Sequence, residues 1–221
     1  MKIVICCEGS TDVGALIVLF KKCVPVNDID IDCRTHDELK EITLLKSEIP
    51  KGFIKDNDRL KRVSYIRRSL HIVNEIKSNG IAYHQDSGHQ DFRKVYQDIH
   101  KDFNFILPDS IKRLAIVPKE MTESWLLADV TAINSLRAGT GHANQSPNPE
   151  TLWGDTHDPN SNYPKNFLKR NLRKLGVEYN SESCTRIAEK AHIETLKHRC
   201  PISFGQFYTD MQSFVEIGNV L

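Results

Sequence analysis

No apolar run in this sequence approaches the roughly 20 residues that a membrane-spanning helix needs. The first run, residues 3–7, stops at Glu8 and has no small-residue cleavage site behind it, so it is not expected to be a secretory signal. The expectation is a soluble, cytoplasmic protein without membrane contact. Net charge is lacking too: 30 lysines and arginines stand against 29 aspartates and glutamates, a formal +1. That excludes a protein gripping polyanions by overall charge and leaves only local basic patches for the task. No Cys-x-x-Cys pair occurs among the six cysteines, Cys6, Cys7, Cys23, Cys33, Cys184 and Cys200. Reduced cytosolic thiols are the better reading. The set Cys184, His192, His198 and Cys200 matches no common zinc-ligand spacing. There is no internal repeat and no Walker A pattern, so ATP hydrolysis would have to come from another chain.

What is present fits one well-buried domain, or a domain with a modest appendage, in 221 residues. Residues 2–7 form a short β-branched run closed by Gly9, which predicts a buried strand. Residues 11–22 place Val13, Leu16, Ile17 and Phe20 on one helical face, with Ser10 or Thr11 as the cap. The same order follows downstream: a strand at 29–34, a helix at 58–78, a strand at 81–84, a helix at 91–101, a strand at 113–117 and a helix at 122–129. Residues 35–55 show no usable period. Short strands alternating with helices predict an α/β fold, a mostly parallel Rossmann-type sheet flanked by helices. Near Ala138 the composition turns to Gly, Asn, Ser and Pro, and three helical patterns follow at 165–175, 181–197 and 204–214. The division expected is an α/β domain at 1–137 and a loop-rich, helical appendage at 138–221 packed on it.

Three predicted strands end in acids. Glu8-Gly9-Ser10-Thr11-Asp12 follows the first, Asp86 follows the strand at 81–84, and Glu120 and Glu123 follow the strand at 113–117. Each has an ordinary explanation: a helix dipole for Asp12, an Asx-turn for Asp86, first-turn acids for Glu120 and Glu123. Glu8 has none. Parallel strands would carry all of them to one rim, where carboxylates repel unless a cation neutralises them. Oxygen donors select Mg²⁺ or Mn²⁺. His84 and His89 flank Asp86 as ligand or proton-carrier candidates, with an ordinary histidine as the default, and Trp125 reads as core.

A glutamate and glycine after a first hydrophobic strand, and an aspartate turn after a later one, resemble the Toprim domain of topoisomerases, primases and overcoming-lysogenization-defect type nucleases. The EGSTD form looks most like the nuclease branch. The segment PKEMTESWLLAD, with Ser203-Phe204 near the C-terminus, resembles small bacterial Toprim-like proteins associated with ATPase partners and phage defence. The resemblance covers residues 1–129 well and the remainder loosely. It implies that Glu8 is a general acid/base or metal-linked glutamate and that Asp12, Asp86 and Glu123 are metal ligands; the rim reading keeps Glu120 beside Glu123 as a ligand, and Glu8 and Asp86 are the catalytic residues expected. The chain departs from the family at Asp86-Ser87-Gly88, where Asp-x-Asp is usual; that puts a second metal, or catalysis itself, in question, with Asp91 as the substitute acid.

Phosphate contacts would come from Lys or Arg. One candidate stretch carries Lys55, Arg59, Lys61, Arg62, Arg67 and Arg68; the other carries Lys165, Lys169, Arg170, Arg173 and Lys174. Arg62, Arg67, Lys169 and Arg173 are the nucleic-acid contacts expected, against the alternative of solvated helix faces. The function expected is a Mg²⁺- or Mn²⁺-dependent nuclease or related phosphoryl-transfer enzyme, working in phage defence with an ATPase partner. The alternatives are a catalytically decayed scaffold or toxin-like subunit of a defence complex, and a small-molecule phosphohydrolase.

Overall fold

The computed structural model describes residues 1–24, 29–45, 48 and 56–216. Four strands form one sheet: β1 (Lys2–Cys7), β2 (Asp30–Thr35), β3 (Gly80–His84) and β4 (Lys112–Ile116). They run parallel in the order β2-β1-β3-β4. The α/β reading therefore holds, and so does the flanking by helices. No helix among the described residues is long and apolar enough to cross a membrane.

Alternation along the strands divides the core into two layers. Ile3, Ile5, Cys7 and Ala82 face one side, packed against α1 (Ser10–Cys23) and the C-terminal helices. Val4, Cys6, Ile81 and Tyr83 face the other, against α3 (Asn57–Ile76) and α4 (Phe92–Ile106). Between β2 and α3, in the stretch without a period, lies α2 (His36–Lys40), started by a capping box of Thr35 and Glu38.

The predicted helix at 122–129 is two: α5 (Thr122–Leu126) and α6 (Val130–Asn134). The break comes from Asp129, whose Oδ1 accepts the Thr131 and Ala132 N–H groups and starts α6 as its cap. Downstream come a 3-10 turn (Pro149–Thr151), α7 (Pro164–Lys174), α8 (Ser181–Lys190), α9 (Ile193–Arg199) and α10 (Ser203–Glu216). The predicted helix at 181–197 breaks between α8 and α9, where Asp129 Oδ2 holds both the backbone N–H and Nδ1 of His192 at 2.9 Å.

The C-terminal helices share a core with the sheet. Trp125, Phe204 and Phe207 are buried together, with Trp125 Nε1 donating to Ser203 Oγ at 2.7 Å, and Phe20 of α1 tilts onto Phe207. Gly14 lets α1 and α8 approach closely: a Cβ there would lie 2.0 Å from Thr185 Oγ1.

Candidate metal centre

The strand order creates a switch point. From β1 the chain runs through α1 to β2 on one side, and from β3 through α4 to β4 on the other. The crevice between the carboxyl ends of β1 and β3 is where open α/β sheets take their ligands. The register pairs Cys6 with Tyr83, so the next residues, Cys7 and His84, stand side by side, and Glu8 and Asp86 lie just beyond.

His84 is fully buried under this rim. Its Nδ1 faces the Glu8 N–H at 3.4 Å and Cys7 Sγ at 3.9 Å. Its Nε2 lies 3.0 Å from Thr122 Oγ1 and 3.4 Å from Asp86 Oδ1. Burial draws the imidazole down, but Asp86 and Cys7 outweigh it and hold it above the ordinary histidine range. Asp86 Oδ1 also accepts the Thr122 N–H at 3.1 Å, which fixes the carboxylate to the start of α5.

Glu8, Asp12, Asp86 and Glu123 converge here. Glu8 is the most open of them, and its Oε2 accepts the Asp86 N–H at 3.2 Å. Although its surface is exposed, crowding around the carboxyl raises it, and Asp86 adds to the shift. Asp12, in the first turn of α1, is raised by burial and by Asp86, with His84 and Lys165 opposing. Glu123 is buried in α5 and accepts the Tyr179 hydroxyl. Burial, then the charges of Asp86 and Asp12, push it up to about 7. Among the described residues no lysine or arginine pairs with any of the four; histidine supplies the one ion pair, His84 on Asp86. These oxygen donors, crowded and short of countercharge, fit a hard divalent cation.

Glu120 stands apart. It lines the same cleft, but the charges that act on it are those of His89 and Lys119, and its Oε2 has no hydrogen-bond partner, with His89 Nδ1 at 3.6 Å. The loop after β3 is clipped to the loop after β4: Ser87 N–H donates to Pro118 O, Gly88 N–H to Glu120 O, and Glu120 N–H to Ser87 Oγ, at 2.9–3.0 Å. Gly88 and Glu120 both have left-handed backbones, φ 54° and 65°. Gly88 thus serves the clip. Asp91 is the cap of α4, accepting the Arg93 N–H, and does not join the rim.

A second donor set overlaps the first. One donor atom each from Cys7, Asp12 and His84 lie within 4.8 Å of one another, a sulfur, oxygen and nitrogen mixture that suits zinc-like ions. The zinc ligands tried from spacing, Cys184, His192, His198 and Cys200, form no such group among the described residues. Cys7, His84 and Asp86 also follow the order of nucleophile, base and orienting acid. Cys7 is a poor nucleophile: it is fully buried, its thiol donates to Gly9 O at 3.1 Å, and Cys33 together with burial pushes it well above the ordinary thiol range.

The basic residues divide. Lys165 and Lys169 of α7 lie over the Tyr179 ring at 5.4 and 5.2 Å, and Lys169 and Arg173 border a groove with Tyr179. A cationic stripe therefore leads towards Glu123. On α3, Arg62 is buried with its Nε on Asp102 at 2.7 Å, and Arg67 is half-buried. Lys55 lies outside the described residues.

Sequence reasoning missed Cys7, Thr122 and Tyr179, and named His84 as a ligand or proton-carrier candidate with an ordinary histidine as the default. The available signal was strand parity: Cys7 directly precedes Glu8, and His84 lies two residues before Asp86. Comparison of the chain with protein-family models, with curated proteins and with solved structures yields no match.

Proposed function

We propose that this protein is a divalent-metal-dependent phosphodiesterase acting on nucleic acid, with Glu8, Asp12, Asp86 and Glu123 holding the ion. The observation carrying this reading is the meeting of four carboxylates at the switch point of a parallel sheet, without a lysine or arginine ion-pair partner among the described residues, where burial and then neighbouring acid charge raise Glu8, Asp12 and Glu123. Mg²⁺ or Mn²⁺ bound there supplies positive charge to a phosphoryl oxygen and acidifies a water. The chain does the positioning. Thr122 and His84 hold Asp86 in place, and Tyr179 orients Glu123. Glu8, the most open carboxylate, is the group placed to accept a proton from the attacking water. Lys169 and Arg173 on α7 bind the flanking phosphates, with Lys165 nearest the acids. The Toprim resemblance extends the proposal to a partner ATPase in phage defence.

The Gly88 clip favours a second reading, a metal-binding or partner-binding subunit without catalysis, because the second acid of the family motif is replaced by a structural glycine. The test is Mn²⁺ calorimetry on the wild type, Glu8→Ala and Asp86→Ala, followed by a nicking assay on the same samples. The phosphodiesterase reading expects at least a ten-fold loss of Mn²⁺ affinity and loss of nicking in both variants. Metal binding without nicking in the wild type supports the second reading. A folded wild type that binds no metal at millimolar concentration sinks the metal site and leaves only a non-catalytic, partner-binding subunit.

A further inference from the structure

The chain has two tryptophans, and they are placed oppositely: Trp125 is fully buried, whereas Trp153 is 59% exposed. Trp153 is presented from a fixed base. Glu150 and Leu152 just before it are buried. Gly154 just after it is pressed against the next loop, where a Cβ would meet the backbone nitrogens of Asn162 and Tyr163 at 2.9 Å. The indole and the His89 ring meet edge to face, with centroids 4.0 Å apart at 70°, and the indole nevertheless stays more than half exposed. His89 and Tyr163 belong to the wall of a cleft of about 610 Å³ that also contains Glu8 and Asp86.

Away from the rim acids, where a bound cation would meet the scissile phosphate, that cleft is poorly suited to phosphates. Its wall holds six carboxylates, Glu8, Asp56, Asp58, Asp86, Asp98 and Glu120, against Lys61, Lys94 and the Asp102-paired Arg62. It is well suited to a flat, neutral, hydrogen-bonding ring, since Tyr65, Tyr163 and His36 line it as well. Phosphates find their cations elsewhere, on α7, which starts directly after Tyr163. A strand whose backbone follows Lys165 and Lys169 past the acid rim would therefore turn its base towards Trp153.

We infer that Trp153 is a stacking platform for an unpaired nucleobase, and that the substrate of this site is single-stranded nucleic acid. The inference rests on the nucleic-acid reading above and names its substrate class. A paired base offers no free face to the indole, while stacking on an aromatic side chain is open to every unpaired base.

The test is binding in EDTA, where neither metal nor cleavage enters. Fluorescence anisotropy of a labelled oligothymidylate and of a duplex of equal length is measured with the wild type, Trp153→Ala and Trp153→Phe. The single strand is expected to bind the wild type, quench its exposed tryptophan and lose about ten-fold in affinity with Trp153→Ala, with Trp153→Phe close to wild type. The duplex is expected to bind more weakly and to ignore the substitution. Equal single-strand affinity for Trp153→Ala and wild type, or preference for the duplex, overturns the platform and leaves the phosphodiesterase reading standing. A wild type that binds neither probe overturns the nucleic-acid reading, and the platform with it.

Discussion

Two buried carboxylates, Asp102 on α4 and Glu123 on α5, have opposite surroundings. Asp102 is completely buried and holds Arg59 Nε and Arg62 Nε, both at 2.7 Å. Glu123 is almost as deeply buried, but its hydrogen-bond partner is the neutral Tyr179 hydroxyl and the charges nearest it are those of Asp86 and Asp12. Where a carboxylate ties α3 to α4, the chain provides the countercharge. At the switch point it gathers four carboxylates and, among the described residues, supplies a histidine as their one ion-pair partner. A fold gains nothing from such crowding, so the rim is the part of the molecule shaped by something other than stability.

The contrast breaks most visibly at Asp102. Asp102→Ala leaves Arg62 buried without its carboxylate, and loss of one partner of a buried ion pair costs about 3–5 kcal/mol. For a chain of this size that lowers the melting temperature by on the order of 10 °C. Mn²⁺ affinity, measured well below the transition, is expected to stay at the wild-type value. An unchanged melting temperature would remove the structural half of the comparison.

At Glu123 the sign is opposite. A carboxyl raised from its ordinary value to about 7 binds its proton more tightly in the folded state. Its stabilisation is therefore complete below about pH 4.5 and is lost as pH rises through about 7. The metal-free wild type is expected to lose about 3 kcal/mol of stability from this group between pH 4.5 and 8. Glu8 and Asp12, also raised, act in the same direction. Glu123→Gln should flatten the slope and melt higher than wild type at pH 8 in EDTA. Thermal melts at pH 5 and pH 8, with and without Mn²⁺, read this directly. A variant with the wild-type slope would mean that Glu123 is not the strained member of the rim.

The sequence carried the rim further than it carried the rest. Glu8 and Asp86 are legible because each ends an apolar run, and a parallel sheet puts such ends together. The choice between Glu120 and Glu123 is not, since it turns on the left-handed backbone at Glu120 that swings its side chain to His89. The pairing of Cys7 with His84 depends on strand register, which no local pattern encodes. The arginines of α3 misled for a related reason: by period they look solvated, and only Asp102, 40 residues beyond Arg62, draws Arg62 inward. The helix breaks at Asp129 and His192 were hidden likewise, because one carboxylate serves both across 63 residues.

The smallest predicted effect lies at Gly88, in the clip between the loops after β3 and β4. Gly88 has φ 54°, and a Cβ there would meet nothing within 4 Å, so the demand for glycine is conformational and not steric. Left-handed backbone costs an ordinary residue about 1–2 kcal/mol, and aspartate tolerates it better than alanine. Gly88→Ala should therefore lower stability by about 1 kcal/mol through the clip and leave metal binding as it is. Gly88→Asp should fold with a smaller loss and place a further carboxylate in the cleft that Glu8 and Asp86 line. If the rim is an intact site that uses a single cation, Gly88→Asp changes neither Mn²⁺ stoichiometry nor nicking. If the rim has decayed from a two-cation site, the restored acid raises the stoichiometry in calorimetry. Metal stoichiometry at this one position separates the two readings even if no substrate is known.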